Sequence, residues 1–142
     1  MRKRSQAREC ALKILYQKEI IRRPVDVTIE RYWETEELQD KEIREFADRL
    51  VLGIEHNAPI IDEKISQYAT NWQLKRMAII DRNILRVGVY ELFYAADIPP
   101  KVTINEAVEL AKKYGDLESS KFVNGILDKM HKTEVLAQKK PS

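Results

Sequence analysis

Four cationic side chains precede the first acidic residue of the chain: Arg2, Lys3, Arg4 and Arg8. The apolar spacing that follows predicts a helix that begins with Ser5 as N-cap and ends near Arg22, before Pro24. Cations at a helix N-terminus oppose the helix dipole, so a solvated, frayed start is one interpretation. The other is a site in which these side chains bind the phosphates of an anionic partner.

Residue types that catalytic and metal sites require are sparse. Cys10 is the one cysteine, which excludes an internal disulfide and a multi-cysteine metal site. It lies on the apolar face of the first predicted helix, where a small buried hydrophobe is expected. His56 has no second histidine or cysteine at ligand spacing. Since a glycine-rich nucleotide loop and a nucleophile beside a base are also missing, the sequence predicts no catalytic site, metal or cofactor.

The stretch from Met77 to Ala96 is apolar over well more than half of a helical circumference. Such a helix does not suit the surface of a soluble protein, and its apolar run is too short to span a bilayer. It is therefore predicted to be the central helix of an all-α bundle. Polar residues occupy a narrow strip of this helix, and two acids project from its apolar arc. The strip holds Arg82, Asn83, Arg86 and Tyr90, and the acids are Asp81 and Glu91.

Capping and breaking residues divide the remaining chain into further helices. Asp40 is a predicted N-cap, and Pro59 suits the start of the next helix. Thr103 and Glu106 form a capping box, which predicts a helix that ends at Gly115. Asp116 or a following serine is expected to begin the last helix, in which Gly125 indicates the close approach of another backbone. We expect one domain over residues 1–131 and a flexible tail over 132–142.

Charge is distributed unevenly along the 142 residues. The net charge is +2, but residues 1–23 carry eight basic and two acidic side chains, whereas residues 24–71 carry five basic and twelve acidic ones. This polarity predicts a basic face for an anionic partner. No cleavable signal, lipidation motif or transmembrane run is apparent, so a cytoplasmic location away from membranes is expected.

The first helix also carries apolar residues opposite its predicted core face, at Leu12, Tyr16 and Ile20. Either another helix of the bundle covers them, or they bind a protein partner. A homodimer through the same residues is equally compatible with the pattern.

Two segments in the second half of the chain carry a family resemblance. Residues 98–115 read Ile-Pro-Pro-Lys-Val-Thr-Ile-Asn-Glu-Ala-Val-Glu-Leu-Ala-Lys-Lys-Tyr-Gly, and residues 120–128 read Ser-Lys-Phe-Val-Asn-Gly-Ile-Leu-Asp. Together with Ala7–Ala11, Leu15-Tyr16 and the Tyr90-Glu91-Leu92 run, they resemble the transcription antitermination factor NusB family. The resemblance covers nearly the whole chain, and residues 24–70 are its least diagnostic part.

The resemblance implies an all-helical protein of about seven helices in two packed three-helix bundles. It also implies binding of boxA-like single-stranded RNA in nascent ribosomal transcripts, together with the ribosomal protein NusE, in the RNA polymerase antitermination complex. By position it assigns RNA contacts to Arg2, Lys3, Arg4, Arg8, Tyr114, Glu118, Lys121 and Phe122. It assigns the partner-protein interface to Leu12, Tyr16, Arg76 and Asp81.

These assignments agree with the chemistry of unpaired RNA. Cations bind its phosphates, aromatic rings stack on its bases, and an acid such as Glu118 accepts hydrogen bonds from a base amino group. Phe122 also fits a purely core role, because its spacing with Ile126 suits burial. A helical scaffold that binds protein alone is the main alternative function, whereas catalysis and a DNA-binding helix-turn-helix are disfavoured.

Overall fold

The computed structural model describes residues 2–69 and 76–135, and within them the chain forms seven α-helices and no strand. The predicted all-α fold is confirmed. Two compact units divide the chain, Met1–Asn57 and Ala58–Ser142. None of the helices in the described ranges is long and apolar enough to cross a membrane.

The first unit consists of three helices: α1 (Lys3–Ile21), α2 (Val25–Thr35) and α3 (Lys41–His56). α1 packs against both α2 and α3. The predicted burial of Cys10 is confirmed, with 5% of its surface exposed. Asp40 caps α3 as predicted, because its carboxylate accepts a hydrogen bond from the Ile43 N–H at 3.1 Å.

α1 begins three residues earlier than predicted, and Ser5 is not its N-cap. Arg2 takes that position without a side-chain cap, and the Gln6 N–H donates to the Arg2 carbonyl at 3.0 Å. Side chains of the first turn contact α3, since the Arg4 guanidinium lies 4.5 Å from the centroid of the Phe46 ring and Lys3 pairs with Asp40 at 3.1 Å. Tertiary contacts of this kind override a local capping preference.

The second unit consists of four α-helices and a π-helical turn. They are α4 (Ala58–Tyr68), α5 (Ile79–Tyr94), α6 (Pro100–Tyr114), α7 (Ser119–Met130) and the turn His131–Val135. α5 packs on α4, α6 and α7, which confirms its predicted central place. Pro59 lies in the first turn of α4 as predicted.

Two members of the predicted polar strip on α5 are buried. Asn83 is fully buried, where it donates to the Ile79 carbonyl and accepts a hydrogen bond from Arg86 at 2.9 Å. Tyr90 is 9% exposed. Both lie inside the bundle because α5 has helices on more than one side, and the two hydrogen bonds of Asn83 satisfy its side chain there.

The predicted capping box at Thr103 is also absent. α6 begins at Pro100, a favoured first-turn position for proline. Thr103 is instead 2% exposed, and its hydroxyl donates to Glu91 Oε1 at 2.8 Å. The hydroxyl that local sequence assigns to a cap therefore satisfies a buried carboxylate on α5.

The close approach predicted at Gly125 occurs at Gly88 instead. A Cβ at Gly125 would meet nothing within 4 Å, whereas a Cβ at Gly88 would lie 2.6 Å from Leu127 Cδ1. Gly88 therefore lets α5 and α7 approach each other. At Gly115, where α6 ends as predicted, a Cβ would lie 2.4 Å from Ser119 Oγ.

The helical structure continues past Met130. Val135, at the end of the π-helical turn, is 1% exposed, and Glu134 accepts hydrogen bonds from Lys64 at 2.8 Å and Tyr68 at 2.5 Å. Residues 132–135 of the expected tail are thus helical and partly packed, and 136–142 lie outside the described residues. Both contacts lower the pKa of Glu134, with the Lys64 hydrogen bond the larger cause.

Candidate nucleic-acid and partner interfaces

In the first unit, three guanidinium groups lie against one aromatic ring. The Cζ atoms of Arg4, Arg8 and Arg49 are 4.5, 5.3 and 5.7 Å from the centroid of the Phe46 ring. Arg4 and Arg8 lie one helical turn apart on α1, and Phe46 and Arg49 lie on the facing α3. Cations within about 6 Å of a ring centroid are attracted by the ring quadrupole. We call these four residues the Phe46 cluster.

The predicted N-terminal cations differ in exposure. Arg2, Lys3 and Arg4 are exposed, as a direct phosphate contact requires. Arg8 is 2% exposed, so its assignment as a solvent-facing phosphate ligand is corrected. Arg8 is the buried arginine of the Phe46 cluster, because α3 covers the side of α1 on which Arg8 lies.

Lys3 belongs to a local ion-pair network. Its ammonium lies 3.1 Å from Asp40 and 3.6 Å from Glu42. The hydrogen bond with Asp40 is the main reason that the pKa of Lys3 is raised. The pKa of Asp40 is lowered chiefly by the Ile43 N–H that it caps, and then by Lys3. Lys3 therefore stabilises the cap of α3 as well as adding to the basic surface.

In the second unit, the α6–α7 loop, the start of α7 and residues 76–81 line an open surface cavity of about 740 Å³. Three of the predicted RNA contacts, Glu118, Lys121 and Phe122, line it together with the predicted partner contacts Arg76 and Asp81. Its other lining residues are Met77, Ala78, Asp116 and Ser119. The sequence analysis placed these two groups in separate interfaces, and the structure brings them to one cavity.

Phe122 is only partly buried. It is half-buried at the cavity, whereas Val123, Ile126 and Leu127 of the same helix are buried. A purely core role for Phe122 therefore does not account for its whole side chain. Tyr114, at the end of α6, is also half-buried, and the Lys113 ammonium lies 5.5 Å from its ring centroid.

The loop that positions Glu118 is ordered by Asp116. Asp116 Oδ1 accepts hydrogen bonds from the N–H groups of Glu118 at 2.9 Å and Ser119 at 3.1 Å. The Ser119 hydroxyl lies 3.2 Å from the same oxygen. Glu118 and Lys121 are exposed at the rim of the cavity. Sequence reasoning suggested Asp116 or a following serine as a helix start, which agrees with these contacts.

Asp81 has a buried carboxylate oxygen, Oδ1, without a hydrogen-bond partner. Burial raises the pKa of Asp81, and the nearby negative charge of Asp116 adds to the rise, while Ser119 opposes it. A buried carboxylate of this kind gains from a donor supplied by a ligand. Asp81 was singled out by its place in the apolar arc of α5, so the sequence did contain a signal for it.

The predicted apolar partner contacts of α1 separate by burial. Tyr16 is 40% exposed and Ile20 is 53% exposed, but Leu12 is 1% exposed. Leu12 is therefore corrected from an interface residue to a core residue, covered by other helices of its unit, whereas Tyr16 and Ile20 remain exposed and their binding of a partner stays a prediction. Ile21, 47% exposed, extends the surface that remains.

Sequence reasoning did not bring Phe46 and Arg49 together with the N-terminal arginines. Phe46 is 7% exposed and thus belongs to the core of the first unit. Its role as the common base of three arginines follows from the packing of α1 on α3. The sequence contained only a weak signal for a contact between Arg49 and Phe46, namely a cation three residues after an aromatic residue on a predicted helix.

This geometry defines a class of protein: an all-helical binding protein that presents cations, rings and acids on packed helices. Within residues 2–69 and 76–135, no group of three potential metal ligands occurs. A model of the NusB family matches residues 5–132, so the chain belongs to the NusB family.

Individual relatives agree with this assignment. The transcription antitermination protein NusB of Anaeromyxobacter dehalogenans strain 2CP-1 is 45% identical over 128 residues, which are 90% of this chain and 89% of that protein. A structure of T. maritima NusB has a TM-score of 0.87 at 42% identity, and the match covers 96% of this chain and 95% of that chain. A crystal structure of the antitermination factors NusB and NusE in complex with dsRNA has a TM-score of 0.85 at 30% identity, and covers 93% of this chain and 98% of its own.

Proposed function

We propose that this chain is a transcription antitermination factor. It binds boxA-type single-stranded RNA of nascent ribosomal transcripts together with the ribosomal protein NusE, and the complex suppresses premature termination by RNA polymerase. It acts as a binding protein and catalyses no reaction. Its place of action is the cytoplasm, where bacterial transcripts are made.

The observation that carries this proposal is the similarity, over nearly the full chain, to a NusB that is in complex with NusE and RNA. The RNA in that complex is double-stranded. We assign single-stranded RNA to this chain because its rings, Tyr114 and Phe122, are only half-buried and can stack on unpaired bases.

The proposed RNA contacts form two groups. In the first unit the exposed cations Arg2, Lys3 and Arg4 bind phosphates, and the buried Arg8 supports them. In the second unit Tyr114 and Phe122 stack on bases, Lys121 binds a phosphate, and Glu118 accepts a hydrogen bond from a base amino group. Cations supply affinity in this arrangement, and the rings and the acid supply selectivity.

The proposed NusE interface consists of Tyr16, Arg76 and Asp81. Tyr16 provides an exposed ring, of the residue type that often anchors interfaces. Asp81 provides an unpaired carboxylate oxygen that a donor of the partner would satisfy.

One observation favours a second candidate function, a scaffold that binds only protein. Tyr16, Ile20 and Ile21 are each 40% exposed or more at the end of α1, and a homodimer through them would bury apolar surface. In that case the N-terminal cations have no role in binding RNA.

Fluorescence anisotropy with labelled boxA RNA separates the two functions. We expect binding that strengthens when NusE is added and weakens steeply with salt, because phosphate contacts release counterions. A scrambled RNA and a boxA duplex are the controls, and both should bind more weakly. Absence of binding to boxA RNA even with NusE present would reject the proposal in favour of the scaffold.

A further inference from the structure

We propose that Arg86 is a positioning residue for Asp81, the carboxylate of the proposed NusE interface. Arg86 acts through Asn83 on the first turn of α5, and Asp62 of α4 anchors it. This role rests on the proposed function, because Asp81 is a proposed contact of NusE. It gives a task to buried polar residues of α5 that do not themselves reach a partner.

A chain of hydrogen bonds leads from α4 to the first residue of α5. Arg86 Nε and Nη2 donate to the two carboxylate oxygens of Asp62 at 2.8 and 3.1 Å. Arg86 Nη1 donates to Asn83 Oδ1 at 2.9 Å, and Asn83 Nδ2 donates to the Ile79 carbonyl at 3.0 Å. The planar guanidinium thus bonds α4 and Asn83 at the same time, which fixes its orientation. We call Asp62, Arg86 and Asn83 the Arg86 relay.

The turn at which the relay ends carries part of the wall of the 740 Å³ cavity. α5 begins at Ile79, and its N-cap, Ala78, supplies no side-chain hydrogen bond. A helix start of this kind lacks the support that a capping side chain gives to the first N–H groups. Asp81 lies in this turn, and both Asp81 and Ala78 line the cavity. The Arg86 relay therefore ties this part of the cavity wall to α4.

The position of Asp81 depends on the turn that carries it. Among the described residues, no hydrogen-bond partner is found for its buried oxygen Oδ1. The place of that oxygen is therefore set by the backbone of the turn and by the packing around it. A shift of the turn would move Oδ1 relative to a donor of the partner, and a hydrogen bond weakens steeply as its geometry departs from the optimum.

Stability alone does not require the Arg86 relay. Asn83 is fully buried, and the side chains of Arg86 and Asp62 are 17% and 29% exposed. Replacement of a buried ion pair by well-packed apolar residues is often neutral or stabilising. A network of satisfied polar groups, in contrast, holds one arrangement of the helices more strictly. The relay is thus suited to setting the direction of the first turn of α5.

Isothermal titration calorimetry of NusE with the full chain tests this role in Arg86→Lys. Lysine keeps the charge but loses the planar fork that bonds Asp62 twice and Asn83 once. We expect the affinity for NusE to fall at least about fivefold, a size typical of coupling between sites.

Glu134→Gln is the matched control. It removes a second ion pair of α4, between Lys64 and Glu134, which has the same 2.8 Å separation and a similar exposure of 23% and 26%. Neither residue lines the cavity. Glu134→Gln should leave the affinity for NusE unchanged, even where it lowers the melting temperature as much as Arg86→Lys does.

A double-mutant cycle separates positioning from a general loss of stability. The carboxylate is already removed in Asp81→Asn, so Arg86→Lys should cause little further loss of NusE affinity in that background. An NMR titration of the Asp81 carboxyl adds a measurement without a ligand. In Arg86→Lys its raised pKa should move towards the ordinary 3.8, because a loosened turn admits water.

If Arg86→Lys melts below the assay temperature, Asp62→Asn takes its place, since it removes the charge at the anchor and keeps the shape. A natural affinity for NusE and a natural pKa of Asp81 in the folded variant would overturn the role of Arg86. Equal losses of affinity in the natural and Asp81→Asn backgrounds would also overturn it, because Arg86 would then act independently of Asp81.

Failure of the proposed function gives a different result. If the natural chain does not bind NusE, the proposed interface fails, and the pKa of Asp81 in the variants decides whether the Arg86 relay holds the turn. If the natural chain binds NusE and Asp81→Asn weakens binding but Arg86→Lys does not, only the role of Arg86 fails.

Discussion

Arg4 and Arg8 lie over the same ring of Phe46 but differ in exposure. Arg4 is exposed, whereas Arg8 is 2% exposed. An exposed cation at a phosphate site contributes mainly to binding, because interactions of an exposed charge within the protein add little to stability. A buried arginine contributes its aliphatic stem to the packing as well. The two residues therefore have different roles, although the sequence places them in one basic segment.

We predict that Arg4→Ala weakens the binding of boxA RNA and leaves the melting temperature nearly unchanged. Arg8→Ala should weaken RNA binding and also lower the free energy of unfolding by roughly 1–3 kcal/mol, since it removes a buried side chain. Anisotropy and thermal denaturation of both variants provide the check. An equal loss of stability in the two variants would contradict the distinction.

Asp81 gives a prediction for the dependence of stability on pH. Burial raises the pKa of Asp81 above its ordinary value of 3.8. The folded state thus favours the protonated form of Asp81. This preference stabilises the folded protein fully at pH values below the pKa of Asp81 in the unfolded chain. The stabilisation is lost as the pH rises through the pKa of Asp81 in the folded protein. At neutral pH the ionised carboxylate of Asp81 therefore lowers the free energy of unfolding.

We therefore expect Asp81→Asn to raise the free energy of unfolding at about pH 7 and to change it little at about pH 3, where Asp81 is protonated in both states. Urea denaturation at the two pH values measures this difference. A variant that is less stable than the natural chain at neutral pH would show that the carboxylate has a stabilising partner.

At the scale of the elements, the approach of α5 to α7 depends on one glycine. A Cβ on Gly88 would lie 2.6 Å from Cδ1 of Leu127, a side chain that is fully buried. Leu127 therefore has little space into which it can move. Gly125, on α7 itself, is exposed and has nothing within 4 Å of its Cβ position. Gly88 thus permits the contact between α5 and α7, whereas Gly125 has no packing role.

We predict opposite effects of alanine at these two positions. Gly88→Ala should destabilise the protein by roughly 1–3 kcal/mol through overpacking. Gly125→Ala should stabilise it by about 1 kcal/mol, because alanine is the better helix former at an exposed site. Chemical denaturation of both variants tests the pair, and a stabilising Gly88→Ala would mean that α5 and α7 can separate at no cost.

At the scale of the whole molecule, each compact unit contains one group of the proposed RNA contacts. The first contributes the exposed cations Arg2, Lys3 and Arg4 at the start of α1. The second contributes rings, a lysine and acids at a cavity that also includes the proposed partner residue Asp81. Such a division suits a linear RNA, which needs repeated contacts with phosphates and bases along its length.

We predict that Asp81→Lys prevents the assembly of NusE with this chain but leaves the contacts of its first unit with RNA intact, because a lysine there repels a basic partner group. Native mass spectrometry should show the 16.7 kDa chain with one NusE and one RNA for the natural protein, and the chain with RNA alone for the variant. Glu63→Lys is the control, since Glu63 is exposed on α4 and lies outside the cavity. Undiminished assembly in Asp81→Lys would exclude this interface.

Much of the helical architecture followed from the sequence alone. The apolar period of Met77–Ala96 predicted the central helix α5, and the Asp40 cap was predicted from local chemistry. Membership of the family was apparent from the segments around Asn105 and Asn124. These features are set by residues close together in the chain, so their spacing is visible in the sequence.

The tertiary structure decided what those local patterns left open. Thr103 could cap α6 or satisfy Glu91, and the fold selects Glu91 because a buried carboxylate without a donor costs more than an unused cap. Arg8 is buried and Arg49 joins it at Phe46 only because α1 packs on α3. Likewise, the sequence indicated that one glycine allows two helices to pack closely. Which glycine does so depends on how the helices pack, and in the structure it is Gly88 rather than Gly125.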